Sequence, residues 1–497
     1  MQSADPATHD VLPIVLEQTR RLGRTLDAAA IDRQARLPGD LLPRLAELGL
    51  FGLTIPAPEG GLGLSLGEAC QVVAELAEVD RSVATTVGLH CGLGTRGLVE
   101  LGDEALRRRW LARLASGEVV AAFGATEPGA GSDLTAVATT AHVEGDALRL
   151  EGEKAYVTNG GFAGMFTVLA RTPELGGNRA WSLVAVPRDR PGVHVGAEEH
   201  KLGIRGSSTT TVRFDGVRVP RSHVLGEPGA GMVHAHRLLE WGRTLMAAGC
   251  LGTARAALRA TLAHARMRRQ FGRPLADFQV VEGHLARMAS TAWAMEALVA
   301  HVGRLEGEGR PIAVPSAAAK VFCSEGAFDL CDRAVQLHGA LGFVEDTGMA
   351  LLLRDCRVTR IFEGANDVLC VRIGTALATG APDTERLVHG PGSVDPEPHR
   401  EWMTANARLD ALVDEARRRR GIALVRDQRW LAWLGQAHLA LHAASASLAT
   451  AGPGADAIAR GTHACKTFVR RAHEALDRLT HAPDDTARDA ALMEILR

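Results

Sequence analysis

Thr126-Glu127-Pro128-Gly129-Ala130-Gly131-Ser132-Asp133 and, far along the chain, Ile361-Phe362-Glu363-Gly364-Ala365-Asn366-Asp367 are the two stretches that organise this sequence. The first closes an apolar run, Val119 to Phe123, in a turn whose glycines let backbone approach a ligand closely. Its hydroxyls, Thr126 and Ser132, can serve ring or phosphate acceptors. Taken alone, such a composition is also that of an ordinary turn. The second stretch sets one carboxylate between a bulky apolar residue and a glycine, a setting in which a buried Glu becomes a tuned base.

Working outward, Lys154-Ala155-Tyr156-Val157-Thr158-Asn159-Gly160-Gly161 reads as a strand ending in a second hydroxyl and glycine pair, and it holds the chain's single tyrosine. Arg268-Arg269-Gln270-Phe271-Gly272 puts a guanidinium near the end of a long helical pattern, suited to a pyrophosphate or simply to solvent. Gln336-Leu337-His338-Gly339-Ala340-Leu341-Gly342-Phe343 is a helix stop with small residues that can admit a ligand, and His338 by itself reads as structural. Gly92-Leu93-Gly94-Thr95-Arg96-Gly97 has the letters of a dinucleotide fingerprint but not its context. No strand pattern precedes it, and no βαβ alternation surrounds it.

The periodicity divides the chain. Residues 10 to about 118 read as helices, and 119 to 220 as short β runs: Val119 to Phe123, Ala147 to Val157, Phe166 to Ala170, Trp181 to Val186 and Thr209 to Val219. Gly145-Asp146 reads as a hairpin turn. Long helical patterns then run from about Met232 to Ala378, enough for three or four antiparallel helices in a bundle. A Pro/Gly-rich linker, Thr379 to Pro398, leads into a further helical region. The expected divisions are a helical domain at 1–118, a β domain at 119–231, a helical bundle at 232–378, a linker at 379–398 and a helical extension at 399–497. The fold class is mainly α with a central β domain.

A chain of 497 residues, 46% of them apolar, has material for several domains and a large core. A formal net charge of -2 creates no general attraction for nucleic acid. No basic segment with an apolar run follows Met1, and no apolar run is long enough to span a bilayer, so a cytoplasmic protein is expected. The eight cysteines show neither C-x-x-C pairs nor clustering with histidine, which reads as buried reduced thiols and no metal site.

In this order the five segments resemble the acyl-CoA dehydrogenase family over residues 10 to 378: T-E-P-x-A-G-S-D, the T-N-G-G strand end, R-x-Q-F-G, Q-x-x-G-x-x-G-F and F-E-G-x-N-D. From Thr379 onward the chain resembles the very-long-chain branch, whose members carry a helical extension and are typically dimers. Ala365, Ala340 and Tyr156 depart from the residues usual at their positions, which are threonine, glycine and tryptophan.

The resemblance implies a helical domain, a β-barrel or sandwich and a four-helix bundle, followed by the extra helical domain. It implies FAD against Phe123, Ala125, Thr126, Gly131, Ser132, Tyr156, Val157 and Thr158, with Ala365 and Asp367 near it. The pyrophosphate and adenine side falls to Arg268, Gln270, Phe271, Phe278, Gln279, Gln336, Leu337, Gly339 and Ala340, some from a neighbouring subunit. Dimerisation is then part of cofactor binding.

Glu363 matches the family's base, and its own backbone N–H, with a flavin hydroxyl, would hold the thioester oxygen. The base position of other branches is Gly242 here. Ser132, Glu240, Arg243 and Gly364 match substrate contacts, although Glu240 can equally pair with a neighbouring cation. Ala84 and Gly88, on one helix face, leave room for a medium to long acyl chain or serve close helix packing.

The activity implied is α,β-dehydrogenation of an acyl thioester, with electrons passed to an electron-transferring flavoprotein. The alternatives are an acyl-carrier-protein substrate, a flavin oxidase or monooxygenase, and a nucleic-acid-binding flavoprotein. Arg417 to Arg420 make a basic cluster that is either a solvated face or a peripheral membrane contact. The extension is expected to serve assembly or localisation rather than chemistry.

Overall fold

The computed structural model describes residues 11–177, 179–381, 396–449 and 455–495. Seven helices come first: α1 Val11–Gly23, α2 Ala28–Gln34, α3 Leu41–Glu47, α4 Leu66–Ala77, α5 Arg81–Leu89, α6 Thr95–Leu101 and α7 Glu104–Ala115. Caps set their starts. Ser65 and Glu68 form a reciprocal capping box on α4, and the Asp80 carboxylate accepts from the Val83 N–H at 2.8 Å to open α5. The G-x-G-x-x-G letters fall in a π-helical turn, His90–Gly94, and in α6, with no strand before them. That turn seats the helices on the sheet: His90 Nδ1 accepts from the Ala121 N–H at 2.9 Å.

The β region comprises β1 Val120–Gly124, β2 Thr140–Glu144, β3 Ala147–Thr158, β4 Ala163–Arg171, β5 Trp181–Pro187, β6 Val193–Glu198, β7 Thr209–Pro220 and β8 Val224–Leu225. They form one sheet in the order β6-β7-β3-β2-β4-β5-β8, with β1 parallel to β4 at its side. The Gly145 turn, with φ +61°, joins β2 and β3 as the sequence suggests. Strands β2 and β8 were not among the expected runs, and neither was β6. Most of its side chains are exposed or half-buried, so it lacks the apolar alternation that marks a strand.

Then come α8 Gly231–Met267, a two-strand hairpin of β9 Arg269–Gln270 and β10 Arg273–Pro274, α9 Gln279–Gly307, α10 Ala313–His338, α11 Ala340–Phe343, α12 Met349–Arg357 and α13 Asn366–Thr379. Three helices of the bundle are long and the fourth, α13, is short. The extension is α14 Pro396–Arg420, α15 Gln428–Ala449 and α16 Ala455–Ile495; residues 382–395 of the expected linker lie outside the described residues.

The extension packs directly on the bundle. Gly374 of α13 and Gly435 of α15 are so close to the opposite backbone that a Cβ at either would collide with Leu431 or Cys370. Trp293 Nε1 of α9 donates to the Ser447 carbonyl at 3.2 Å. Of the basic cluster, Arg417 bonds the carbonyls of Leu377 and Ala378, Arg419 pairs with Glu415 and Arg420 with Asp427.

Candidate functional site

One pocket gathers residues from α5, α8, the β domain and the loop before α13. Phe123, Ala125, Thr126, Gly131, Ser132, Tyr156 and Thr158 line it from the β domain, Ala84 and Gly88 from α5, Arg243 from α8, and Glu363 and Gly364 from the loop. The pocket therefore brings together residues singled out from segments far apart in the chain.

A buried ion pair anchors the Thr126–Asp133 turn. Lys154 Nζ of β3 lies 2.6 Å from Glu127 Oε1, while the Glu127 carboxylate also accepts from the N–H groups of Ala138 at 2.7 Å and Thr139 at 3.0 Å. Burial raises the Glu127 pKa, but the bonds from Lys154 and Thr139 outweigh it and leave the group below its ordinary range. Burial pushes Lys154 down to about 8 against the pull of Glu127. The turn is thus held from beneath, and Gly129 and Gly131 are left with open space above them.

The pairing of β3 with β7 shifts register between Lys154 and Val157, and this bulge turns Tyr156 outward at φ +55°. The phenol is 66% exposed, a flat face with a polar tip beside the hydroxyls of Thr126, Ser132 and Thr158. Such a set suits a flat ring with polar edges. Beyond the same bulge the Val157 side chain is buried in the core of the sheet, and Val157 is not part of the pocket lining.

Glu363 sits at φ +55°, followed by Gly364 at φ +101°, an uncommon backbone for a side-chain-bearing residue. Two cations hold it there. Arg243 Nε donates to the Glu363 carbonyl at 3.0 Å, and Lys320 Nζ donates to the Gly364 carbonyl at 2.8 Å and to Asn366 Oδ1 at 2.7 Å. Asn366 is fixed in turn by Ser324 Oγ at 2.9 Å and Glu325 Oε1 at 2.6 Å.

Glu363 Oε2 is buried without a hydrogen-bond partner, and among the described residues its N–H has no acceptor. Burial pushes the carboxyl up to about 7, although Arg243, Lys320 and Arg81 pull it down. The same burial drives Lys320 down to about 8 and Arg243 to about 10. A Cβ at Gly242 would lie 3.0 Å from Glu363 Oε2 and 2.8 Å from Leu93 Cγ, so that position faces the same spot.

Several assigned residues lie elsewhere. Glu240, Ala365 and Asp367 are not part of the pocket lining. Arg268, Gln270, Phe271, Phe278, Gln279, Gln336, Leu337, Gly339 and Ala340 also lie outside it. Stacking of His264 on His338, with ring centroids 4.3 Å apart, draws the ends of α8 and α10 that carry several of them together. Phe271 there is 93% exposed and Phe343 84%. Arg81, Thr85, His236 and Arg372 line the pocket and Lys320 braces its base, yet none was singled out from sequence. A lysine and an arginine expected in solvent carry no local sign of burial.

The family models of the acyl-CoA dehydrogenase N-terminal, middle and C-terminal domains match residues 19–118, 122–217 and 229–378, and the chain belongs to this family. It is 37% identical over 375 residues to the mitochondrial very long-chain specific acyl-CoA dehydrogenase of Mus musculus, covering 74% of this chain and 57% of that one. The chain thus spans less than two thirds of the length of the very long-chain relatives it matches. It is 34% identical over 353 residues to an acyl-CoA dehydrogenase of Bacillus subtilis, covering 71% of this chain and 93% of that one. The solved acyl-CoA dehydrogenase of Bacillus anthracis complexed with FAD superposes with a TM-score of 0.85 at 26% identity, over 98% of this chain and 91% of that one.

Proposed function

We propose that the protein is an FAD-dependent acyl-CoA dehydrogenase, acting on a medium to long acyl thioester with Glu363 as its base. The observation that carries this reading is a buried, unpaired carboxylate with its pKa pushed up to about 7, in the same pocket as the exposed Tyr156 face. Bound FAD supplies the acceptor for a hydride from the β-carbon.

Thr126, Ser132 and Thr158 offer their hydroxyls to the polar edges of the ring system, and Tyr156 offers a face to stack on. Glu363 takes the α-proton of the thioester, and burial favours its neutral product form. The unengaged Glu363 N–H is free to donate to the thioester carbonyl as negative charge develops there. Arg243 and Lys320 hold that N–H and carboxylate in one geometry by gripping consecutive carbonyls of the turn. Phe362, Leu93, Leu239 and Met246 supply an apolar wall that keeps water from the base.

The exposed cluster at the ends of α8 and α10 is proposed to meet the pyrophosphate and adenine side of a cofactor bound to a second copy, which makes the active form a homodimer. An electron-transferring flavoprotein is the proposed acceptor. No described helix is long and apolar enough to cross a membrane. Peripheral contact is proposed only through Arg418, the member of the basic cluster for which no bond or ion pair is described. Anaerobic titration of the flavin-loaded protein with acyl-CoA tests the whole reading: the flavin absorbance should bleach. A protein that neither retains nor takes up FAD would overturn it.

A further inference from the structure

Arg81, the first residue of α5, turns its guanidinium beneath α8 and is 4% exposed. Its Nη2 donates to the Met246 carbonyl at 3.2 Å and to Cys250 Sγ at 3.7 Å. Among the described residues no carboxylate lies within ion-pair distance of it. Asp80, its chain neighbour, faces the Val83 N–H instead, and Glu363 has no ion pair. Room for the guanidinium comes from Gly249, where a Cβ would collide with it.

A buried cation with no carboxylate in direct contact is costly, and apolar side chains fill such a place more cheaply. Here the cation also lines the acyl pocket, on the same face of α5 as Ala84, Thr85 and Gly88. Depth follows from α8. Gly242 stands beside the Glu363 carboxylate and Gly249 beside Arg81, a separation of about 10 Å along a helix. That is a span for an acyl chain running from its α-carbon, at the base, to its far end.

We propose that Arg81 is the far-end subsite of the acyl pocket and receives the terminal carboxylate of a dicarboxylic acyl thioester. This rests on the dehydrogenase reading above and names its substrate class. The carboxylate supplies the direct ion-pair partner that Arg81 lacks, and the planar guanidinium can meet it in bidentate fashion. Thr85, one turn along α5, also lines the pocket and carries a hydroxyl.

The test compares suberyl-CoA with octanoyl-CoA on the flavin-loaded protein, by kcat/KM with an artificial acceptor and by calorimetric binding. The wild type should favour suberyl-CoA by about ten- to hundredfold, the range of a charge-assisted bond made or lost. Arg81→Met should bring that ratio to one or invert it, and Arg81→Lys should keep part of it. A wild-type preference for octanoyl-CoA overturns the subsite without any variant. An Arg81→Met change that slows both thioesters alike also overturns it, leaving Arg81 as a counter-charge to Glu363. Should neither thioester be oxidised, the dehydrogenase reading fails, and calorimetry still decides the subsite. Tighter suberyl-CoA binding that Arg81→Met abolishes supports it, and equal affinities overturn it.

Discussion

Arg243 grips the main chain of Glu363 and leaves the carboxylate alone: its Nε donates to the Glu363 carbonyl at 3.0 Å, and Glu363 Oε2 remains without a partner. A salt bridge in that place would hold the carboxylate ionised and spend its basicity. Placed on the carbonyl, the cation fixes the turn while burial keeps the carboxyl near a useful pKa.

Glu363→Gln should therefore fold, take up FAD and bind acyl-CoA, yet reduce the flavin about 10² to 10⁴ times more slowly under anaerobic stopped-flow conditions. The amide preserves volume and the backbone N–H. Adding Gly242→Glu should restore part of the rate, because that position faces Glu363 Oε2 at 3.0 Å, but Leu93 must move to admit it. Near-normal flavin reduction in the single variant would place the base elsewhere.

The pH dependence has two opposite signs. A base titrating at about 7 must lose its proton to act, so flavin reduction should climb with pH, levelling off above about 7. Stability runs the other way. The folded pKa lies above the ordinary carboxyl value of 4.5, so the native state holds the proton more tightly, and Glu363's contribution is greatest in acid and falls as pH rises toward about 7. Asp80, raised to about 6, and Asp355, raised to about 7, both chiefly by burial, act in the same direction. Denaturation curves across this range should be flatter for Glu363→Gln than for the wild type.

Lys320→Met removes both the clamp on the Gly364 carbonyl and a charge that stabilises the Glu363 carboxylate. We expect a loss of stability of about 2 kcal/mol from the broken charged hydrogen bonds. The pH limb of flavin reduction should also move upward. A slower enzyme with an unmoved limb would limit Lys320 to a structural part.

How far the site was legible depended on whether a residue's chemistry shows in its neighbours. The Thr126–Asp133 turn and the Phe362-Glu363-Gly364 loop carry their meaning locally, in hydroxyls, glycines and one carboxylate. Lys320 and Arg81 do not, because both are buried by tertiary packing, Arg81 against Met246 and Cys250 of α8 and Lys320 against Gly364 and Asn366. A register shift invisible in the sequence sends the Val157 side chain inward and Tyr156 outward. Strand β6 escaped notice for want of apolar alternation. The helical and β regions were readable because their periods differ over long segments.

Chain length should respond to α5. A Cβ at Gly88 would meet only Val73, at 3.7 and 3.8 Å, an ordinary contact, so the rest of a larger side chain must enter the pocket. Gly88→Gln or Ala84→Gln should shift kcat/KM toward shorter acyl-CoA substrates. An unchanged profile across lengths would reduce both positions to helix packing.

Removal of the extension should damage the site as well as the assembly, contrary to what its place after every matched motif suggests. Helix α13 carries Leu369 and Arg372 on the pocket side and meets α15 through backbone contacts at Gly374 and Gly435 too close for any side chain. Arg417 of α14 caps the other end of α13 by bonding the Leu377 and Ala378 carbonyls. A protein ending at Thr379 would lose Leu431 and Leu434, both fully buried, from the core they share with Ile373 and Leu377. We expect it to melt at lower temperature and to reduce flavin more slowly, because α13 also anchors the C-terminal side of the Glu363 turn. Full activity in a soluble truncated protein would show that the α13 contacts with the extension are dispensable for the site.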